Sequence, residues 1–168
     1  ELYGHFREMG IEIEGMVFTG VCFSLSADFY KKIVDQNMQE LLRFSIFNKI
    51  QEHVKKEKNG FVIKRDANSS NLILLSAQQG HRETVEREIR AIRDAIYDEY
   101  GFRLVAGVGR TVDHVKELKY AYKTAKFCSE LYYFTQEEFI RYDDVSREFH
   151  SSFEDYSSKY KELVSSIL

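Results

Sequence analysis

The sequence predicts an α+β fold, a mixed and mainly antiparallel sheet flanked by helices. Three observations carry that expectation. The run over residues 15–25, Gly-Met-Val-Phe-Thr-Gly-Val-Cys-Phe-Ser-Leu, is dense in apolar and β-branched side chains, as a strand buried on both faces must be. Two shorter apolar runs, Phe61-Val62-Ile63 and Leu72-Ile73-Leu74-Leu75, flank the polar stretch Lys64-Arg65-Asp66-Ala67-Asn68-Ser69-Ser70-Asn71 and read as an antiparallel hairpin. Elsewhere apolar residues recur at threes and fours, the helical period.

Each element follows from local chemistry. Leu2, Phe6 and Met9 suit one face of a short leading helix. Residues 15–25 form the central strand, with Gly20 as a soft spot within it. A helix over about residues 37–58 shows a wide apolar face of Leu41, Leu42, Phe44, Ile46, Phe47, Ile50 and Val54. Gly60 is expected to end it, since glycine enters the left-handed region without penalty. After the hairpin, Val85, Ile89, Ile92, Ile96 and Tyr100 share a helical face, and Gly101 is a natural stop. A strand over residues 102–106 follows. Gly107, Gly109 and Arg110 then lead into a helix with Val115, Leu118, Tyr122 and Ala125 on one face and Asp113 as its N-cap. Residues 139–142 read as an edge strand. The order is strand, helix, hairpin, helix, strand, helix, short strand, so two β-α-β units enclose a hairpin.

The tail has its own pattern. Phe149, Phe153, Tyr156, Tyr160, Leu163 and Ile167 are spaced four, three, four, three, four, a heptad seam with aromatic knobs. Such a seam either packs on its own domain or continues as a signalling helix, and it is the expected interface of a homodimer. The expected division is a leading linker over 1–14, a regulatory domain over 15–145 and a trailing helix over 146–168. A start at Glu1 without methionine and an apolar helical end suggest a piece of something larger.

Composition narrows the function. Apolar residues make up 43 % of the 168, enough for a real core, and the charged 30 % is too evenly mixed for disorder. The net charge of -3 gives no electrostatic reason to bind nucleic acid, and Lys55-Lys56-Glu57-Lys58 is the one basic run. No stretch of 18 apolar residues occurs, so no membrane insertion is expected and a cytoplasmic setting follows. Proline is absent where about 8 would be usual, which long helices tolerate. Cys22 and Cys128 both lie in apolar runs and are expected as free core thiols. The five histidines lack metal-ligand spacing, and neither Gly-x-Ser-x-Gly nor Cys-x-x-Cys occurs. No metal or other cofactor is expected. Gly107 and Gly109 hint at a phosphate loop, but no Gly-Lys-Ser/Thr follows, so tight packing of a strand end is the simpler reading. Arg110 either clamps an anion at a helix start or pairs with Asp113.

Taken together, Gly107-Val108-Gly109-Arg110-Thr111-Val112, the segment Glu117-Leu118-Lys119-Tyr120-Ala121-Tyr122-Lys123-Thr124-Ala125 and Tyr142-Asp143-Asp144-Val145 resemble the degenerate GGDEF-like central domain of AraC-type transcriptional regulators, including YesN-like response regulators. The resemblance covers about residues 15–145. It implies a nucleotide-cyclase-like fold followed by a helix leading toward a helix-turn-helix domain outside this chain. Active members of the parent family condense two GTP molecules into cyclic di-GMP with divalent metal held by carboxylates. The matching positions here are Phe23-Ser24-Leu25-Ser26 at the end of the first strand and Asn68-Ser69-Ser70-Asn71-Leu72 on the hairpin signature. Serine and asparagine stand where the acids are expected. Asp28 and Asp66 lie nearby but out of register.

The resemblance therefore implies a non-catalytic domain that couples an adjacent sensor or receiver domain to a helix-turn-helix domain in the same chain. It would not itself contact nucleic acid. The alternative is a small-molecule or nucleotide sensor using the vestigial cleft of Ser24, Ser26, Asn68, Ser69, Ser70 and Asn71. Asn68 and Asn71 also have a simpler role as turn residues. Asp144 is expected to cap the trailing helix. Tyr120, Tyr122, Tyr132, Tyr133 and Phe134 are core if buried and a contact surface if exposed.

Overall fold

A computed structural model of the chain describes residues 2–8, 10 and 12–149. Strand β1 (Met16–Leu25) lies at the centre of a five-stranded sheet, where its side chains are buried on both faces. The hairpin strands β2 (Gly60–Arg65) and β3 (Ser69–Ala77) lie to one side, and β4 (Leu104–Val112) and β5 (Phe139–Arg141) to the other. The order is β2-β3-β1-β4-β5. Only β4 and β5 run parallel; the other pairs are antiparallel. The expected mixed, mainly antiparallel sheet is therefore present, with β5 at an edge.

Helices cover both faces. α3 (Gln36–Glu57) and α4 (His81–Tyr100) bury Ile46, Ile50, Ile89, Ile92 and Ile96 against Val21, Phe23, Leu72, Leu74, Leu104 and Val108. α5 (Leu118–Glu130) covers the other face, where Phe18, Ile73, Leu75, Val112 and Ala121 form a second core. α1 (Leu2–Glu8) sets Phe6 against Phe61 on that side, ring centroids 5.0 Å apart. Short helices α2 (Ala27–Lys32) and α6 (Tyr132–Thr135), not expected from periodicity, follow β1 and α5. α7 (Tyr142–Phe149) follows β5.

Several expectations need correction. The hairpin loop is only residues 66–68, and the strands continue through Lys64, Arg65, Ser69, Ser70 and Asn71. Ladder pairing with β1 outweighs the turn preference of serine and asparagine. β4 does not stop at residue 106: Gly107, Gly109 and Arg110 are strand residues, because pairing with β1 runs on to Val112. α3 ends on Lys58, itself left-handed at φ 52°, and Gly60 sits inside β2. The wide apolar face of α3 divides, with Ile46, Phe47, Ile50 and Val54 buried but Leu41 and Phe44 exposed. Asp113 caps nothing; a 3-10 turn (Val115–Glu117) precedes α5. The inner line of α5 is Ala121, Thr124, Ala125 and Cys128; Val115 and Leu118 of the expected face pack partly buried against the second core, and Tyr122 is half-buried beside that line. Asp144 lies in the first turn of α7, one place after Asp143, where both acids face the positive end of the helix dipole. The seam residues Phe153, Tyr156, Tyr160, Leu163 and Ile167 lie outside the described residues, as does the side chain of Phe149.

Gly20, Gly107 and Gly109 let α5 lie directly on β1 and β4. A Cβ at Gly20 or Gly109 would collide with the Ala121 carbonyl oxygen, and one at Gly107 with the Ala125 carbonyl oxygen and the Ser129 amide. The soft spot at Gly20 is thus a packing requirement. Gly109 and Arg110 stand opposite the single Gly20 in a β-bulge. The Arg110 amide then bonds the Thr124 hydroxyl at 2.9 Å, which keeps a displaced donor satisfied.

Gly109→Ala is expected to cost about 3 kcal/mol, the upper end for overpacking, since its Cβ meets backbone that cannot rotate away. Chemical denaturation measures it; a loss below about 1 kcal/mol would show that α5 can lift off freely.

Candidate functional site

The sequence directs attention to the end of β1 and the tip of the hairpin. Ser24 stands opposite Ser69 on β3 and Val105 on β4, and Cys22 stands opposite Asn71 and Gly107. Side chains two apart share a face, so Cys22, Ser24, Ser69 and Asn71 line the α5 side of the sheet. Ser70 takes the other face, opposite Phe23. Ser26 leaves the strand to stand before α2, with its amide bonded to the Arg103 carbonyl at 3.3 Å. The structure therefore brings Ser24, Ser69 and Asn71 together, leaves Asn68 exposed at the turn, and sets Ser26 and Ser70 apart.

The floor is more buried than its composition suggested. Ser69 is 8 % exposed, and Ser70 and Asn71 are fully buried. The Asn71 amide donates to the Lys64 carbonyl and to the Ser69 hydroxyl, each at 3.3 Å. Its carbonyl oxygen, with the hydroxyls of Ser26 and Ser70, has no partner among the described residues. Asn71 is a strand residue tying β3 to β2, not a turn residue.

Asp66 holds the turn closed. One of its oxygens accepts from the Asn68 amide at 3.0 Å and the Ser69 amide at 2.7 Å, and both oxygens lie 2.9 Å from the Ser69 hydroxyl. Burial works to raise this carboxyl. The hydrogen bonds from Asn68 and Ser69, with the charge of Lys126, hold it below its ordinary 3.8. An acid two and three residues ahead of its amide partners is an Asx-turn, a signal present in the sequence but passed over in favour of the serines. Asp28 is exposed and pairs with Lys32 at 2.8 Å. Neither acid projects as an unengaged ligand toward Ser24.

Residues not anticipated complete the site. Ser129 donates to the Cys22 sulfur at 3.2 Å. Burial pushes the Cys22 thiol up to about 11 against that bond and one from Ser69, so it is protonated and unreactive at neutral pH. Cys128 is likewise free, buried and raised by burial. At the end of α5, burial raises the Glu130 carboxyl, Lys126 opposes that rise, and Asp66 adds to it. The four-residue spacing of Lys126 and Glu130 was the available sign of a charged pair beside the hairpin. Tyr132 is buried and its hydroxyl accepts from the Ala27 amide at 3.0 Å, while Tyr133 and Phe134 are exposed. The aromatic cluster thus divides between core and surface.

Arg110 lies 5.7 Å from the centre of the Tyr120 ring and makes no ion pair with Asp113. Its guanidinium thus lies over the Tyr120 ring at the start of α5, within cation–π range. Among the described residues no group of three or more His, Cys, Asp or Glu is placed to hold a metal ion, and no helix is long and apolar enough to cross a membrane. Family models, characterised proteins and solved structures yield no match to this chain.

Asp66→Asn is expected to cost about 1 kcal/mol at pH 7, the worth of hydrogen bonds to a charged acceptor after solvent screening. Because the folded carboxyl titrates below its unfolded value of 3.8, that stabilisation is present above pH 3.8 and fades as pH falls through the folded value. Denaturation of both proteins between neutral pH and about pH 2 tests this, and a gap that widens on acidification contradicts it.

Proposed function

We propose that this chain is a non-catalytic regulatory domain that couples an adjacent sensor or receiver domain to a helix-turn-helix domain, as the resemblance to the GGDEF-like central domain of AraC-type regulators implies. The supporting observation is a clamp at the base of the trailing helix. Arg141, the last residue of β5, is bonded to Glu86 on α4, and Arg82 reaches the same carboxylate at 3.5 Å. The Arg141 side chain is 11 % exposed and that of Glu86 37 %, so only the arginine end of the pair is shielded from solvent. Tyr142 and Val145 of α7 pack against Phe127, Cys128, Leu131 and Ile140.

The topology agrees with a coupling role. β1 begins, and β4 and β5 end, at one end of the sheet. α1 precedes β1 and α7 follows β5, so both segments that continue the chain meet the sheet at that end. A change imposed on one is close to the other. Signalling needs an element with two arrangements, and the reading assigns that part to the junction at Arg141: bonded, it ties the end of β5, from which α7 leaves, to α4; released, it leaves α7 held by its apolar contacts and the Tyr142–Tyr120 hydrogen bond.

The second reading, a nucleotide or small-molecule sensor in the cleft, is favoured by the unpartnered oxygens of Ser26, Ser70 and Asn71. Against it, Ser70 and Asn71 are fully buried and the neighbouring carboxylates, Asp66 and Glu130, repel phosphate. The coupling reading is preferred. It assigns no cyclase activity to the chain, because Ser24, Ser26 and Asn68 offer no carboxylate to a metal escorting triphosphate.

Two outcomes are expected. Glu86→Gln should raise backbone hydrogen exchange across α7 about tenfold while the middle of α4 is unchanged, and equal exchange would remove the clamp as a coupling element. Titration calorimetry with GTP, ATP and cyclic di-GMP in magnesium should show no saturating heat. Saturation at micromolar ligand would favour the sensor instead.

A further inference from the structure

The groove between α4 and the start of β4 gathers three arginines outside the hairpin cleft and the Arg141 junction. Arg90, Arg93 and Tyr97 recur at three and four along α4, on the line next to its buried stripe of Ile89, Ile92 and Ile96. Arg103 immediately precedes β4, and Glu138 immediately precedes β5. Together they wall a cleft of about 280 Å³ beside Leu104. Leu104 faces the α4 side of the sheet, whereas Ser24 and Asn71 line the α5 side, so this cleft is separate from the hairpin site.

One guanidinium is built in. Arg93 donates from Nε to the Leu104 carbonyl at 3.0 Å and from Nη2 to Glu138 at 3.1 Å, and its side chain is 26 % exposed. Burial lowers its pKa, Glu138 and Asp94 oppose that, and Arg103 adds to it, so its surroundings disfavour its charge on balance. Its Nη1 bonds no protein group among the described residues. Arg103 lies 3.8 Å from the same Glu138 oxygen, and its guanidinium is 5.9 Å from the Tyr97 ring centre. Arg90 makes no ion pair among the described residues. Asp94 stands four residues after it, the less favourable order for a helical pair. The cleft therefore sets three positive charges against the two negative charges of Asp94 and Glu138.

We propose that this cleft binds a small organic monocarboxylate with a flat body, the carboxylate among Arg90, Arg93 and Arg103 and the body against Tyr97. One negative charge completes the balance. A planar carboxylate also matches the planar donor fork of a guanidinium. A phosphate dianion or a triphosphate would bring surplus charge beside Glu138 and Asp94, so the cleft disfavours nucleotides. The Tyr97 ring is 51 % exposed and offers a flat ligand a face or an edge. A volume of about 280 Å³ is at the low end for small-molecule sites, which suits an acid of about one ring. The terminal carboxylate of a peptide ending in an aromatic residue presents the same chemistry.

Two-dimensional NMR of the whole chain, titrated with benzoate at pH 7 in a buffer free of phosphate and other carboxylates, tests the proposal. Saturable shifts are expected at the amides of residues 90–97, of Arg103 and of Glu138, with a dissociation constant of about 1 mM. Arg90→Gln, Arg103→Gln and Tyr97→Ala should each weaken binding about fivefold. All three side chains are exposed, so an unchanged melting midpoint confirms that the variants fold. Benzamide, the neutral isostere, should bind about tenfold more weakly, and inorganic phosphate should bind less tightly than benzoate. N-acetylphenylalanine, which mimics a peptide end, separates the sources: tighter binding than benzoate assigns the site to a peptide terminus, weaker binding to a free acid, and either supports it. No saturation by about 20 mM benzoate overturns the proposal. So do benzamide equal to benzoate, phosphate tighter than benzoate, or affinity unchanged in both arginine variants.

Discussion

The close approach of α5 to the sheet is the constraint from which the rest of the molecule follows. Where a helix normally stands about 10 Å from strands, with side chains between, here backbone meets backbone. Three strand glycines make this possible, and Ala121, Ala125 and Ser129 answer them at four-residue spacing along one line of the helix. The approach sets the course of β4. Held under α5, the strand continues to Val112, and its bulge at Gly109–Arg110 is tolerated because the Thr124 hydroxyl accepts the displaced amide. The same hydroxyl donates to the Tyr120 or Ala121 carbonyl, each 3.0 Å away, so one side chain serves both surfaces.

That packing also determines what stands at the hairpin end. α5 ends at Glu130, which brings Lys126 and Glu130 beside the turn and Ser129 over Cys22. Asp66, the one acid in the turn, directs its oxygens at Asn68 and Ser69, a self-contained arrangement that stabilises a three-residue loop without glycine. The loop needs no left-handed residue, since Lys58 and Gln136 are the only non-glycine residues with positive φ among those described. A turn stabilised this way gains rigidity and engages both oxygens of its one carboxylate within the loop.

The sheet, its order of elements and the helical faces of α4 were legible because burial imposes period two or period 3.6 on long segments. Val85, Ile89, Ile92 and Ile96 behave as their spacing requires, and Gly101 takes the left-handed cap. What misled were residues whose local preference opposes their tertiary role. Ser69, Ser70 and Asn71 favour turns as isolated residues, but three ladder pairs with β1 make them strand. Gly107 and Gly109 look like a loop and are buried strand residues beneath α5. Leu41 and Phe44 share the apolar content of the inner residues, yet lie outside, because composition does not reveal where a sheet ends beneath a helix. Of the candidate site, the meeting of Ser24 with Ser69 was readable from alignment of strand ends, whereas Glu130 and Cys22 entered only through the position of α5.

The two ends of the sheet differ in kind, and the difference bears on how a domain of this build would act. One end receives α1 and sends out α7, with Arg141 held to Glu86 beside them. The other carries Met38, Leu41, Phe44, Tyr133 and Phe134 on its rim. Between the two lies a slab in which α5 meets β1 and β4 backbone to backbone at Gly20, Gly107 and Gly109. Side chains cushion small displacements by changing rotamer; backbone in direct contact does not. A force applied at the rim would therefore move α5 and the strands beneath it as one body. Coupling between the ends, on this view, depends less on a chain of charged residues than on the absence of compliant side chains at positions 20, 107 and 109.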